Sequence, residues 1–357
     1  QDKLPKFNVK KNIMKNKVKH KIAVIGGGIM GVSTCYNLLK HEKDICLIDR
    51  LQPNSQASGS NAGSLHVQLL SYDFDPSNLN QIENMKTLLK LQKKAVSDWK
   101  DVENETKSNF EISYDGGLMF AENKKDLEKL NMKIEVEQSV GVNSELIDQD
   151  KIQKINPLFS KKMIYAGYCP SEGKINPLKA TNSIFENCKL NGLTDYCDDL
   201  IHSIEKRSNK FVITTNNNEI EVDKVVNCAG SWANNIAEFL NLPLNVKSVP
   251  QQMIVTEALE YKIKLLVAHI GRHLTLKQAT NGNFIIGGGW TANYSKNTDH
   301  LHALKDSFEG NTWVAKRVIP NLSNVNILRS WAAMSVDVGG YPLMGEHPLM
   351  KDFYTLV

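Results

Sequence analysis

The run "KIAVIGGGIMGVSTCYNLL" at 21–39 constrains the fold more than any other stretch. A short apolar strand (21–26) runs into glycines and then into a helix predicted over 29–40. In Gly26-x-Gly28-x-x-Gly31 the glycines divide the work. Gly26 permits the tight turn, Gly28 lets the backbone approach a pyrophosphate, and Gly31 lets helix and strand pack closely. The helix N-terminus then offers free N–H groups and a positive dipole end to the phosphate. "DICLIDR" (44–50) supplies a second buried strand, which makes a parallel, right-handed βαβ unit. Asp49 ends that strand, about 20 residues on, where an acid bonds ribose hydroxyls. A carboxylate there disfavours a 2′-phosphate, although Arg50 beside it works the other way. The turn alone does not separate NAD from FAD.

The remainder of the chain limits the alternatives. A length of 357 residues with 41% hydrophobic and 23% charged residues is ordinary for a soluble protein of two or three domains. The net charge of +4 gathers at the start, where Lys3, Lys6, Lys10, Lys11, Lys15, Lys17, Lys19 and Lys21 face only Asp2. Residues 1–20 are therefore expected to be a disordered basic tail. The rest is near neutral and presents no basic face for nucleic acid. Gln1 is not an initiator, so a fragment or processed chain is expected, with Met14 a candidate start. The apolar stretch after the lysines is broken by glycines and does not read as a signal peptide. No apolar run reaches the ~18 residues of a membrane span. The cysteines (Cys35, Cys46, Cys169, Cys188, Cys197 and Cys228) form no CxxC and no zinc spacing. Reduced thiols, no metal and a cytoplasmic location, free or peripheral to a membrane, are the expectation.

Along the chain, "QPNSQASGSNAGS" (52–64) reads as a loop of small residues. A helix is predicted over 79–100, with Leu79, Ile82, Met85, Leu88, Leu89 and Val96 on one face. "ISYDGGLMFA" (112–121) reads as a hairpin, and 124–140 and 145–155 as helices. A turn and helix follow over 173–192, then a hairpin over 211–230 and a helix from Trp232 to Leu240. Residues 246–256, 272–278 and 283–288 alternate like antiparallel strands, and 299–318 reads as a helix. A βαβ start followed by β-rich segments suggests a nucleotide domain carrying an insertion.

Three later stretches bear on the dinucleotide: "SQASGSNAGSLH" (55–66), "VVNCAGSWA" (225–233) and "GGYPLMGEHP" (339–348). With "IAVIGGGIMG", "LIDR", "PSEGKINP", "PQQMIVTEA", "GNFIIGGG" and "SWAAMS" they occur in the order in which the FAD-dependent oxidoreductases of the D-amino-acid oxidase family carry such pieces. The chain resembles that family from about residue 21 to its end. The group includes glycine and sarcosine oxidases, D-amino-acid dehydrogenases and opine oxidase-like subunits, and 271–290 looks most like the last. The resemblance implies an α/β (α+β) fold, with a glutathione-reductase-type Rossmann FAD-binding domain and an inserted mixed, largely antiparallel substrate domain. It divides the chain into a cofactor domain (21–80, 145–240 and 325–357) and a substrate domain (81–144 and 241–324).

The resemblance implies FAD held by Gly26, Gly28 and Gly31 at the pyrophosphate and by Asp49 at the adenosine ribose, with Arg50 flanking the adenine. Ala57, Ser58, Asn61, Gly63, Ser64 and Leu65 would line the phosphates and flavin. Leu200 and Ile201 would meet adenine, and Ala229, Gly230 and Trp232 would close the other side. Ser60 sits near the place where some relatives attach flavin through histidine, so non-covalent FAD is expected. The implied reaction oxidises the C–N bond of a D-amino acid, glycine, sarcosine or opine by hydride transfer to flavin N5. The resulting imine is hydrolysed. Oxygen, a quinone or a partner subunit would take the electrons. An NAD-dependent dehydrogenase and a flavin-binding subunit of a heteromeric dehydrogenase are the alternatives.

Two departures from the family pattern stand out. Ser335, in "WAAMSV", takes the place of an arginine that commonly follows the tryptophan and pairs with a substrate carboxylate. Arg272 or Arg329 could supply that charge, with His66 and Trp331 also facing substrate, while core packing is an equal reading for Trp331 and Trp232. No acid or base is required by the chemistry, and none is assigned. The second departure is "KDFYTLV" at the end, which reads as a strand cut short, so a flavin-poor or unstable chain is expected.

Overall fold

The computed structural model describes residues 15–357 apart from 72–73, 76, 261 and 296–299. Residues 1–14 of the expected tail lie outside the described residues, and the tail's last part is strand. β1 (Asn16–Ile25) starts well before the glycine turn because 16–22 alternates. Lys17 and Lys19 point to one face and meet Glu219 and Glu221 at 3.4 and 3.0 Å, while Val18 packs inward. α1 (Ile29–Leu38) buries Val32, Cys35 and Tyr36, and β2 (Ile45–Ile48) is buried throughout. The two strands pair in parallel, as a βαβ unit requires.

Within the small-residue stretch a single helical turn forms, α2 (Ala57–Ser60), followed by β3 (Ser64–Leu65). α3 (Leu79–Glu105) is capped by the Asn78 side chain. It buries Met85, Leu89 and Val96 in the same core as Val24 and Val32, so it packs on the nucleotide fold rather than with the inserted sheet. The expected hairpin at 112–121 does not form. β4 (Gly117–Ala121) is buried on both faces, which suits an inner strand and not a hairpin arm facing water. α4 (Lys124–Ser139) follows, capped by Asn123.

The helix expected over 145–155 divides into β5 (Glu145–Asp148) and α5 (Gln149–Ile155), because the Asp148 side chain caps the helix there by accepting from Lys151 N. Next come β6 (Tyr165–Cys169), β7 (Gly173–Lys174) and α6 (Pro177–Leu190), with proline opening the helix after its Asn176 cap. β8 (Thr194–Tyr196), β9 (Ile201–Arg207), β10 (Lys210–Thr215) and β11 (Asn218–Asn227) lead to α7 (Ala233–Glu238). β10 and β11 form the expected hairpin.

β12 (Lys247–Ala258), β14 (Thr275–Gln278) and β15 (Asn283–Gly287) realise the alternating segments, and β13 (Leu266–His269) is a further strand outside them. β16 (Ala292–Ser295) and β17 (His300–Ala303) pair with each other, so α8 (Lys305–Val318) begins later than 299. The chain ends on β18 (Ile327–Asp337), β19 (Met344–His347) and β20 (Met350–Leu356).

Two large sheets result. The first runs β19-β20-β11-β1-β2-β8, with β10 and β9 continuing from β11. The second runs β18-β12-β15-β14-β13-β4-β6-β5 and is antiparallel except between β13 and β4. This is an α+β fold: a Rossmann-like domain plus a mixed, largely antiparallel sheet. β5, β6 and β18 belong to the second sheet, although the expected boundaries assigned 145–240 and 325–357 to the cofactor domain. No helix among the described residues is long and apolar enough to cross a membrane.

Candidate active site

The glycine turn is built by close backbone packing. Gly26 sits at φ +112°, and a Cβ there would overlap the Cys228 carbonyl. A Cβ on Gly31 would overlap the Gly26 carbonyl oxygen, so α1 reaches β1 only because that position is bare. Gly28 is the N-cap of α1 and has no side chain to satisfy the helix N–H groups. Ser58 Oγ accepts from Ile29 N at 2.9 Å, which fixes α2 against the same helix end. Asp49 accepts from Gly27 N at 2.5 Å and from Leu51 N at 2.8 Å. Burial raises the Asp49 pKa above its ordinary value, against the lowering effect of those two N–H groups. Its oxygens keep lone pairs for a ligand hydroxyl. Arg50 lies over the Trp232 ring, 4.2 Å from its centre.

These groups converge on a cleft of about 480 Å³. Gly26, Gly28, Asp49, Arg50, Ala57, Ser58, Leu200, Ile201, Ala229, Gly230 and Trp232 all line it. Gly31 stands behind the turn. Ser64 and Leu65 form β3, with Leu65 buried, and neither they nor Gly63 line the cleft. Sequence reasoning missed Met334, Ser335 and Val336 of β18, which form part of the wall. Ser231 Oγ donates to the carbonyls of Met334 and Ser335 and holds that strand in place. Ser335, at the arginine's position, therefore lines this first cleft.

A second cleft, of about 680 Å³, opens on the other side of α2. Asn61 and Ser60 stand on one wall, and the face of the second sheet is the floor. Arg329, Val255, Ile285 and Lys277 are cross-strand neighbours in one row over β18, β12, β15 and β14. The floor is thus apolar in the middle and cationic at both ends. Trp331 donates its Nε1–H to the Ser60 carbonyl at 2.8 Å and carries Arg329 over its ring at 4.9 Å. Burial pushes both Lys277 and Lys174 down to about 8.

Two expected substrate residues lie elsewhere. Arg272 lines neither cleft; it pairs with Glu122, which Arg317 also engages. Its partners are Glu122, just after β4, and the Trp313 ring of α8, far along the chain, and local sequence carried no sign of them. Glu122, Asp126 and His269 bring their ligand atoms within 4.8 Å of one another. Two guanidinium groups already neutralise Glu122, so the trio lacks the negative charge a divalent ion needs. His66 donates its Nδ1–H to Glu172, 3.2 Å away, and Glu172 also accepts from Val67 N and Gln68 N. Burial opposes ionisation of Glu172, but His66 and these N–H groups outweigh it and hold its pKa below the ordinary value. His66 lines neither cleft.

The glycine cradle, the bare helix N-terminus and the Asp49 carboxylate suit a dinucleotide. The family described as "FAD dependent oxidoreductase" (DAO) matches this chain over residues 21–357. Mitochondrial sarcosine dehydrogenase of Homo sapiens is 25% identical over 252 residues, which is 67% of this chain and 26% of that protein. The chain thus spans about a quarter of that relative's length. Glycine oxidase of Bacillus licheniformis is 22% identical, over 91% of this chain and 84% of its own. The crystal structure of L-proline dehydrogenase from P. horikoshii superposes with a TM-score of 0.81 at 23% identity, over 95% of this chain and 88% of that one. With the family match running from the first turn of the nucleotide fold to the last strand, the chain belongs to the FAD-dependent oxidoreductases of the DAO family.

Proposed function

We propose that this protein oxidises the C–N bond of a small amine or amino acid that carries a carboxylate, using non-covalently bound FAD. One observation carries the reading: the phosphate-binding cleft and a second, cation-ended cleft share the wall formed by α2 and the residues after it. FAD, when bound, supplies a hydride acceptor. The chain does the rest. Gly26, Gly28 and the start of α1 would hold the pyrophosphate, and Asp49 the ribose. Val255 and Ile285 would exclude water from the second cleft, with Trp331 as a side wall. Arg329 would bind the substrate carboxylate; no ion pair to it is found among the described residues. It takes the role that the sequence offered to Arg272 or Arg329, because Glu122 occupies Arg272.

The direct test is to supply FAD, record the flavin band near ~450 nm, and then add amines and amino acids without oxygen. Bleaching by a subset of carboxylated amines is the expected result. A colourless protein in excess FAD, or one reduced only by nitrogen-free substrates, would sink the reading. NAD-dependent turnover without a flavin band would favour the dehydrogenase alternative. Reoxidation by oxygen, a quinone or a partner subunit is then read from the recovery of colour.

Arg329→Met tests the carboxylate partner. A hydrogen bond to a charged group contributes about 1.5–3 kcal/mol, so KM for a carboxylated amine should rise roughly 10- to 100-fold. A carboxyl-free amine should show no such change. Equal effects on both substrates would remove Arg329 from the role.

A further inference from the structure

Lys277 is an unusual residue to find inside a sheet. It lies in β14, is 5% exposed, and is flanked by the buried Leu276 and Gln278. Among the described residues its ammonium has no carboxylate in contact. It donates instead to the Gly63 carbonyl at 3.3 Å and the Ile175 carbonyl at 3.0 Å. Gly63 O also accepts from Ile175 N at 2.9 Å, and β3 pairs with β7 next to it. Three separate segments therefore meet at one cation: the inserted sheet, the loop after α2, and the turn before α6. A Cβ on Gly63 would come within 2.9 Å of Lys277 Nζ, so the crossing has little slack. Asn61 braces the same loop, donating to Ala57 O and Ser58 O and accepting from Gly63 N at 2.7 Å.

We infer that Lys277 is a positioning residue, which reaches from the inserted sheet to hold the loop Asn61–Leu65 and, through Asn61, the α2 wall that lines the cofactor cleft. The inference rests on the FAD reading above. A cation bonded only to carbonyls fixes their direction, and with it the direction of the N–H groups on the other side of each peptide. The charged groups nearest Lys277 are Lys174 on β7, Glu111 before β4, Lys179 on α6, which is paired to Glu111, and Arg329 along the row on β18. Burial lowers the Lys277 pKa most, Lys174 adds to that, and Glu111 opposes it. The clamp should therefore weaken as pH rises through about 8.

The test uses the full chain and two variants, Lys277→Met and Lys277→Arg. FAD affinity is followed by quenching of flavin fluorescence at pH 6.5 and 9.5. Wild type should bind more weakly at the higher pH. Loss of one charged hydrogen-bonding group predicts Kd about tenfold higher for Lys277→Met at pH 6.5, with little further change at pH 9.5. Arginine stays charged, so Lys277→Arg should bind more tightly than wild type at pH 9.5. If Lys277→Met keeps the wild-type pH profile, the effect belongs to Lys174 and the inference fails. A cofactor-free measurement separates this from failure of the FAD reading. Amide exchange at Gly63–Leu65 and Ile175 should accelerate in Lys277→Met, and unchanged exchange would overturn the clamp whether or not FAD binds.

Discussion

Replacing Gly31 with alanine is expected to yield a chain that does not retain FAD. The added Cβ would overlap the Gly26 carbonyl oxygen, and that oxygen belongs to backbone, which cannot rotate away. Helix and turn must separate for the methyl group to fit. The displaced part is the start of α1, where Gly28 leaves the N–H groups open. Losing two charge-assisted hydrogen bonds at about 1.5–3 kcal/mol each corresponds to an affinity loss of roughly 100-fold or more. Overpacking adds about 1–3 kcal/mol of destabilisation. Titration with FAD and a thermal melt of the cofactor-free chain would report the two effects separately. Wild-type affinity in the alanine variant would show that this turn does not hold the cofactor. Gly192 is a suitable control, because a Cβ there meets nothing within 4 Å and it lines neither cleft, although its φ of +102° adds local strain.

The contrast between Gly31 and Arg272 shows what the sequence could reveal. The cofactor turn is legible because its parts are local: strand, turn, helix and Asp49 all lie within one βαβ unit, and each residue type has a single physical reason to be there. Arg272 had no such context. Its role depends on Glu122, which follows β4, and on Arg317 from α8, which shares that carboxylate. Pairings of that range leave no periodicity. The same cause misplaced β5, β6 and β18, which read as part of the nucleotide domain until their strand partners are known. The hairpin expected at 112–121 failed for a related reason. Asp115-Gly116-Gly117 is good turn chemistry, but the fully buried Leu118–Ala121 run needs neighbours on both sides, and β6 and β13 supply them. Lys277 left a faint trace. It shares a sheet face with Val255 and Ile285, so a cation stands at a position where alternation predicts an apolar side chain.

The polar core around Glu122 should govern how the fold responds to acid. Glu122 is half-buried with its side chain covered, and its engagement by Arg272 and Arg317 holds its pKa below the ordinary value against the opposing effect of desolvation. His269, fully buried beside it, accepts from Gly271 N at 3.0 Å and is pushed down to about 4, chiefly by burial. Both groups have folded-state pKa values lower than their unfolded ones, so both contribute stability that is present at neutral pH and lost in acid. For His269 the loss begins as pH falls below ~6.5, the value of a free histidine, and is complete near the folded value of about 4. That interval corresponds to about 3 kcal/mol. Glu122 extends the loss to still lower pH. Glu122→Gln should cost about 3 kcal/mol at pH 7, the lower end for breaking a buried pair, because the two arginines remain partly hydrated. His269→Gln should flatten the fall between pH 6.5 and 4 while leaving the steeper loss below it. Urea unfolding at a series of pH values would resolve both limbs, and a histidine variant with the wild-type acid profile would remove His269 from this account.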